Sequence, residues 1–282
     1  MEPYLTVICR LPGDAEDALA SLLEHLPVLG CQVENVGREL QATVFLAEGS
    51  REAVAQVRDG LVGLGARQIG VGQFADQDWL AEYRRHSTPL EIGTRFWVDP
   101  HAAAPTAPPP GRIHLVVEPR QAFGTGSHES TKLILLVLER LQVAGRRVLD
   151  VGTGSGILAL AARALGARFV VGFDIDCDAV CVAHQTVDVQ PEPLPVALYA
   201  GSTAALRCAP AFDLILVNMI PAESGPLLDD LRGVIAADGQ FVLSGLMCDQ
   251  RLAVERDLTF RHFAVVDAEE LSEWTALVCV PR

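Results

Sequence analysis

Three stretches of this chain carry residue types suited to chemistry. The most informative is Val148-Leu149-Asp150-Val151-Gly152-Thr153-Gly154-Ser155-Gly156-Ile157, with Asp174 at the end of the next apolar run, 22 residues after Gly152. It reads as a buried strand, a glycine turn, a helix start, and a second strand closed by an acid. That layout cradles a nucleotide-like ligand at the carboxyl ends of parallel strands, with the acid accepting hydrogen bonds from ribose hydroxyls. A dinucleotide site uses G-x-G-x-x-G, whose third glycine lets the helix pack close to the strand behind the pyrophosphate. Here Gly152 and Gly154 fill the first two places, but Ile157 takes the sixth and the third glycine comes one residue early, at Gly156. The turn also lacks the Lys-Ser/Thr pair of a triphosphate loop. A glycine turn that holds no ligand is the plain alternative.

The second stretch is Ala122-Phe123-Gly124-Thr125-Gly126-Ser127-His128-Glu129-Ser130-Thr131, a glycine loop opening onto a helix. It could cover a cofactor as a lid while Ser127 or Ser130 caps the helix. The third is Asp213-Leu214-Ile215-Leu216-Val217-Asn218-Met219-Ile220-Pro221, an apolar strand that delivers Asn218 to the carboxyl edge of a sheet. An amide there could accept hydrogen bonds from an amine and aim its lone pair at a methyl group; the alternative is a turn residue at a strand end. Methyl transfer is an in-line displacement in which positioning supplies much of the rate. The D-x-G-x-G-x-G form of the first stretch resembles motif I of class I S-adenosylmethionine-dependent methyltransferases.

The elements that must position these residues fall into two groups. Residues 4–74 carry a strand at 4–9, a helix at 14–25, strands at 32–36 and 40–46, a helix at 50–64 with Ser50 as its cap, and a strand at 67–74. This β-α-β-β-α-β order predicts a small α+β ferredoxin-like domain over residues 1–75. Residues 76–112 read as a linker: a helix at 76–86, then an irregular surface loop holding Pro100, Pro105, Pro108, Pro109 and Pro110. A strand at 113–117 leads into the lid, and a helix covers 130–141. Seven strands then follow, at 147–151, 169–173, 196–200, 212–217, 240–244, 262–266 and 274–280. Helices start at Gly156 and Cys177 and recur near 222–235 and 248–256. This predicts a seven-stranded doubly wound α/β sheet over 113–282, whose last two strands are too closely joined for a crossover and pair antiparallel.

The whole chain sets outer limits. Its 282 residues suffice for one large or two modest domains, and half of them are hydrophobic. No apolar run reaches the ~18 residues of a membrane span. The amino terminus has neither a basic segment nor an apolar signal core, so no export and a cytoplasmic location are expected. Seven cysteines without a regular framework suit a reducing compartment. Cys177, Cys181 and His184 could share a helical face; buried thiols account for the cysteines more simply, and no metal site is expected. The net charge of −14, from 22 basic and 36 acidic residues, disfavours bare nucleic acid and tolerates a basic protein partner.

Most of residues 79–282 resembles the PrmA family, methyltransferases that modify large-subunit ribosomal protein eleven. The resemblance is carried by Glu118-Pro119, the loop Ala122–His128, Thr131, Leu149–Ala159, Gly172-Phe173-Asp174-Ile175-Asp176, Asn218 and Leu243-Ser244-Gly245. It implies that Thr131, Gly152, Asp174 and Asn218 contact S-adenosylmethionine, with Phe123, Gly124, Thr125 and Gly126 of the lid and Gly154 of the turn beside them. It also implies that Asn218 is the catalytic residue, and that the amino-terminal domain grips the ribosomal protein and presents lysine ε-amines and the α-amine for up to three methylations. The chain departs from the family pattern at Tyr83, Arg120, Thr186, Gln190 and Val217. Thr186 and Gln190 replace the asparagines of an N-A-x-x-N stretch and could loosen contacts of the helix or the adenine side. Other readings are a methyltransferase for another acceptor, because Asn218-Met219-Ile220-Pro221 faintly resembles an N-P-P-Y edge, and a cofactor-binding assembly factor without catalysis. A nicotinamide dehydrogenase is opposed by Ile157.

Overall fold

Alternation of apolar and polar residues along Glu39–Leu46 buries Leu40, Ala42, Val44 and Leu46 on one face of a strand, which requires a helical layer against that face. The computed structural model supplies it. The structure describes residues 4–13, 15–23, 26–37, 39–47, 51–74, 87–119, 126–206 and 211–282. The chain divides into two units, Met1–Arg85 and His86–Arg282.

The first unit has the expected order: β1 (Tyr4–Pro12), α1 (Glu16–Leu23), β2 (Gly30–Val36), β3 (Glu39–Leu46), α2 (Arg51–Gly63) and β4 (Arg67–Phe74). The sheet runs β2-β3-β1-β4, and every neighbouring pair is antiparallel. Leu19 and Leu23 of α1 and Ala53, Val57 and Leu61 of α2 meet Val7, Cys9 and Leu11 of β1 in one core. Ser50 and the helix expected at 76–86 lie outside the described residues.

The second unit begins earlier than the sequence suggests. β5 (Leu90–Ile92) and β6 (Phe96–Asp99) pair antiparallel, and β6 pairs parallel with β7 (Ile113–Val116). Ile92, Phe96 and Val98 are buried in the main core of this unit, so residues 90–99 are not a surface linker. Two distant contacts hold them. Glu139 accepts hydrogen bonds from the backbone N–H groups of Thr94 (3.0 Å) and Arg95 (2.8 Å). The Arg112 guanidinium bonds the carbonyl of Phe96 at 2.9 Å and Glu91 at 2.7 Å. The proline-bearing residues 100–112 carry no helix or strand. Their start is pinned by the buried Asp99, which accepts from the N–H groups of Thr106 and His101. Burial opposes the charge of Asp99, but those hydrogen bonds hold its carboxyl below the ordinary range.

Next come α3 (Glu129–Arg140), β8 (Arg147–Val151), α4 (Ile157–Ala164), β9 (Phe169–Asp174), α5 (Cys177–Asp188), β10 (Ala197–Ala200) and β11 (Phe212–Asn218). The chain ends through α6 (Pro221–Ser224), α7 (Leu228–Val234), β12 (Ile235–Met247), α8 (Arg251–Phe260), β13 (Phe263–Leu271) and β14 (Trp274–Pro281). The helix expected over 222–235 is broken by a 3-10 turn at Gly225–Leu227, where Pro226 lacks the N–H a continuous helix needs. The seven-stranded sheet runs β10-β9-β8-β11-β12-β14-β13, with β14 antiparallel to both of its neighbours. Its central strands carry apolar runs because both faces are covered. Val148, Leu214 and Leu216 enter one core, while Leu149, Ile215 and Val217 enter the other.

The strand order reverses between β8 and β11, which opens a crevice at their carboxyl ends. Gly245 sets its width beside β11. Its φ is +88°, and a Cβ there would lie 2.6–2.8 Å from the backbone of Met219. Gly245→Ala should therefore cost about 2–4 kcal/mol through strain and overpacking, read as a lower urea midpoint with an unchanged slope.

Candidate functional site

The glycine turn joins β8 to α4 with φ of +65°, +51° and +84° at Gly152, Gly154 and Gly156. This left-handed path is one that other residues enter only at a cost. The turn forms one wall of a cavity of about 810 Å³ at the carboxyl ends of β8, β9 and β11. Of the residues singled out from sequence, Thr131, Gly152, Gly154, Asp174 and Asn218 line it together. Gly126 does not. It is buried with a φ of +83°, and a Cβ there would meet Ile157 at 3.0 Å and Val98 at 3.2 Å, so it packs the lid's end against the core. Phe123, Gly124 and Thr125 lie outside the described residues.

Asp174 is held against the turn. One carboxylate oxygen accepts from the N–H of Gly154 (3.0 Å) and the other from that of Asp176 (3.1 Å). Each oxygen keeps a lone pair for a ligand hydroxyl.

Asn218 ends β11. Its Nδ2 donates to the Thr131 hydroxyl oxygen at 3.0 Å, while its Oδ1 is buried without a hydrogen-bond partner. Thr131 is itself fully buried in the first turn of α3. The start of α3 is fixed by His128, whose Nδ1 accepts from the N–H of Ser130, and by Ser244, whose hydroxyl donates to the Ser130 carbonyl at 3.0 Å. Three elements thus hold one amide whose buried acceptor has no partner, in a residue that lines the cavity. A buried acceptor without a donor is costly, and a ligand N–H is the natural partner for it.

The cavity lining includes two residues of the sequence motifs, His128 and Ile175, and two that no sequence motif assigns to the site, Trp274 and Glu223. His128 and Trp274 meet edge to face at 4.7 Å. Trp274 arrives from β14, and only the antiparallel return of that strand brings it to the site. Ile175 is 82% exposed although apolar, and Glu223 comes from α6. The described lining includes three carboxylates, Asp174, Asp176 and Glu223, and no lysine or arginine. Such a wall opposes pyrophosphate and suits ligands that are neutral or cationic.

The side-chain polar groups of Thr186 and Gln190 are both engaged in this part of the fold. The Thr186 hydroxyl donates to the Val182 carbonyl at 2.9 Å. The Gln190 amide accepts from the Val116 N–H at 3.1 Å and donates to the Val116 carbonyl at 2.7 Å. Cys177 and Cys181, expected to be buried, are exposed, because α5 turns Ala179, Val180, Ala183 and Thr186 inward instead.

Comparison with known proteins agrees with this geometry. The profile of the family "Ribosomal protein L11 methyltransferase (PrmA)" matches residues 18–281. A ribosomal protein L11 methyltransferase of Geobacter sulfurreducens is 34% identical, over 98% of this chain and 97% of that protein. One from Geobacter metallireducens is 30% identical over the same shares. The crystal structure of a ribosomal protein L11 methylase from Lactobacillus delbrueckii subsp. bulgaricus superposes with a TM-score of 0.63 at 27% identity, covering 70% of this chain and 99% of that one.

Beneath the turn, Asp150 is 1% exposed. One of its oxygens accepts from the Thr153 hydroxyl (2.7 Å) and the Ala159 N–H (3.1 Å), which ties β8 to the first turn of α4. The other oxygen has no partner. Burial pushes this carboxyl up to about 6, against those two hydrogen bonds, and Asp174 adds to the rise. The folded state therefore binds the proton more tightly than the unfolded chain does. Between about pH 4 and pH 6 stability falls as pH rises, by on the order of 3 kcal/mol from this group. Asp150→Asn removes the titration. Its Tm relative to the parent should be lowest near pH 4 and should climb towards pH 7, measured by thermal unfolding across that range.

Proposed function

The chain belongs to the ribosomal protein L11 methyltransferase (PrmA) family, and from that premise we propose that its cavity transfers methyl groups to amines of ribosomal protein L11. As a member of that family it is an S-adenosylmethionine-dependent methyltransferase. The residues present fit that cofactor. A glycine turn offers close backbone approach, Asp174 keeps acceptor capacity for ribose hydroxyls, and the described lining holds no lysine or arginine to oppose a sulfonium. In our reading Gly152, Gly154, Thr131 and Asp174 hold it, and Phe123, Gly124 and Thr125 are assigned to cofactor binding with them.

When bound, the cofactor supplies a methyl group on positively charged sulfur, which passes to a neutral amine as the carbon–sulfur bond breaks and its electron pair stays on sulfur. The chain's own part is to present that amine. A lysine has a reference pKa near 10.4 and must shed a proton before its lone pair can attack. Asn218 Oδ1 accepts an N–H of the neutral amine and thereby directs the lone pair away from itself. Thr131 keeps the amide from rotating. The observation that carries the reading is the buried, unpartnered Oδ1 of Asn218 beside the cavity.

The acceptors in this reading are lysine ε-amines and the N-terminal α-amine, up to trimethyl. Residues 1–75 grip the substrate, and the second unit carries out transfer in the cytoplasm. Incubating the protein with labelled S-adenosylmethionine and total ribosomal proteins should label one small basic band, ribosomal protein L11. Label on nucleic acid, or none at all, contradicts the proposal. Asn218→Ala should keep cofactor affinity within about threefold by calorimetry and lower the transfer rate roughly 10²-fold.

A further inference from the structure

The three carboxylates of the cavity stand on two sides of the glycine turn. Asp174 and Asp176 lie at the end of β9, and Glu223 lies in α6, five residues beyond Asn218. β9 and β11 flank β8 on opposite sides, which separates the strand ends by about 10 Å. The two groups therefore face different parts of whatever fills the cavity. Asp174 is engaged by the backbone of the turn. The Glu223 side chain is exposed and has no hydrogen-bond or ion-pair partner among the described residues.

Its backbone, in contrast, is fixed. The N–H of Met219 bonds the Ser244 carbonyl at 3.1 Å, and Pro221 opens α6. The N–H of Glu223 itself bonds the Ile220 carbonyl at 3.0 Å, and the buried Ser224 hydroxyl bonds that same carbonyl at 3.2 Å. A free carboxylate is thus held at the edge of a cavity with no lysine or arginine among its described lining, on the side of the acceptor-facing amide.

We infer that Glu223 is a specificity-determining residue, the charge that draws the substrate's ammonium group to the cavity mouth before it loses its proton beside Asn218. This rests on the reading of the site as one for amine acceptors. An exposed carboxylate attracts an ammonium modestly, because water screens the pair. It also stabilises the protonated form, so it favours arrival and slightly opposes proton loss. Its signature is therefore in KM, the reverse of that of Asn218.

Transfer to ribosomal protein L11 is measured against acceptor concentration at low salt. Glu223→Gln should raise KM roughly fivefold with kcat within about twofold, and should move the acidic limb of kcat to lower pH. The KM gap between variant and parent should close as salt is added. Glu223→Asp should recover most of the loss. Glu192→Gln makes the same change in net charge at an exposed residue outside the cavity and should leave KM unaltered. Calorimetry should find cofactor affinity of Glu223→Gln within about threefold of the parent, which separates a lost charge from a misfolded site. An unchanged KM in Glu223→Gln, or an equal rise in Glu192→Gln, overturns the inference while leaving methyl transfer standing. A parent protein that does not methylate ribosomal protein L11 removes both.

Discussion

The hydrogen bond from Asn218 Nδ2 to Thr131 Oγ1, 3.0 Å long, decides which end of the amide is left without a partner. Without it the amide could turn and leave its N–H group unpartnered instead of its oxygen. The bond exists only because two chain segments 87 residues apart meet. Thr131 is placed by the start of α3, which is stitched to β12 through Ser244 and the Ser130 carbonyl. Asn218 is placed by β11, whose last residue pairs with Ser244 across the parallel ladder. Ser244 therefore serves both partners, and Gly245 beside it lets the backbone after Asn218 pass close over β12.

Charge shapes the rest of the site. The sheet delivers acids to its carboxyl edge and no described cation answers them there. Like charges gathered in one cavity raise its energy when it is empty, and a cationic ligand relieves them. Asp150 shows the cost most plainly. It fastens the turn to α4 with one oxygen and leaves the other bare in the core. An uncharged side chain that accepted the same two hydrogen bonds would be cheaper at neutral pH.

Most of this was legible where the signal is local. The turn, Asp174 and Asn218 each sit at the junction of an apolar run with a polar residue, and a run buried on both faces announces a central strand. β5 and β6 were illegible for the opposite reason. Leu90–Ile92 and Phe96–Asp99 are too short to show a period, and prolines follow them. They become strands through Glu139, 44 or 45 residues away, and through Arg112. Trp274 and Glu223 were missed because what matters about them is where the sheet's closing strand and a four-residue helix bring them. Cys177 and Cys181 were misplaced because apolar neighbours suggested burial, whereas helical periodicity assigns that face to the alanines.

Gln190 shows how a departure from a family's pattern can be absorbed. A glutamine is one methylene longer than asparagine, and here that reach is used. Its amide accepts from the N–H and donates to the carbonyl of Val116, so it pairs with β7 as a neighbouring strand's peptide group would. The same amide N–H group also bonds the Thr186 carbonyl at 2.6 Å. Thr186, in turn, spends its hydroxyl on the helix's own backbone at Val182. Both polar replacements thus find partners for their own side-chain groups. Because α5 begins at the acid-bearing end of β9, holding its far end against β7 also steadies the wall on which Asp174 and Asp176 stand.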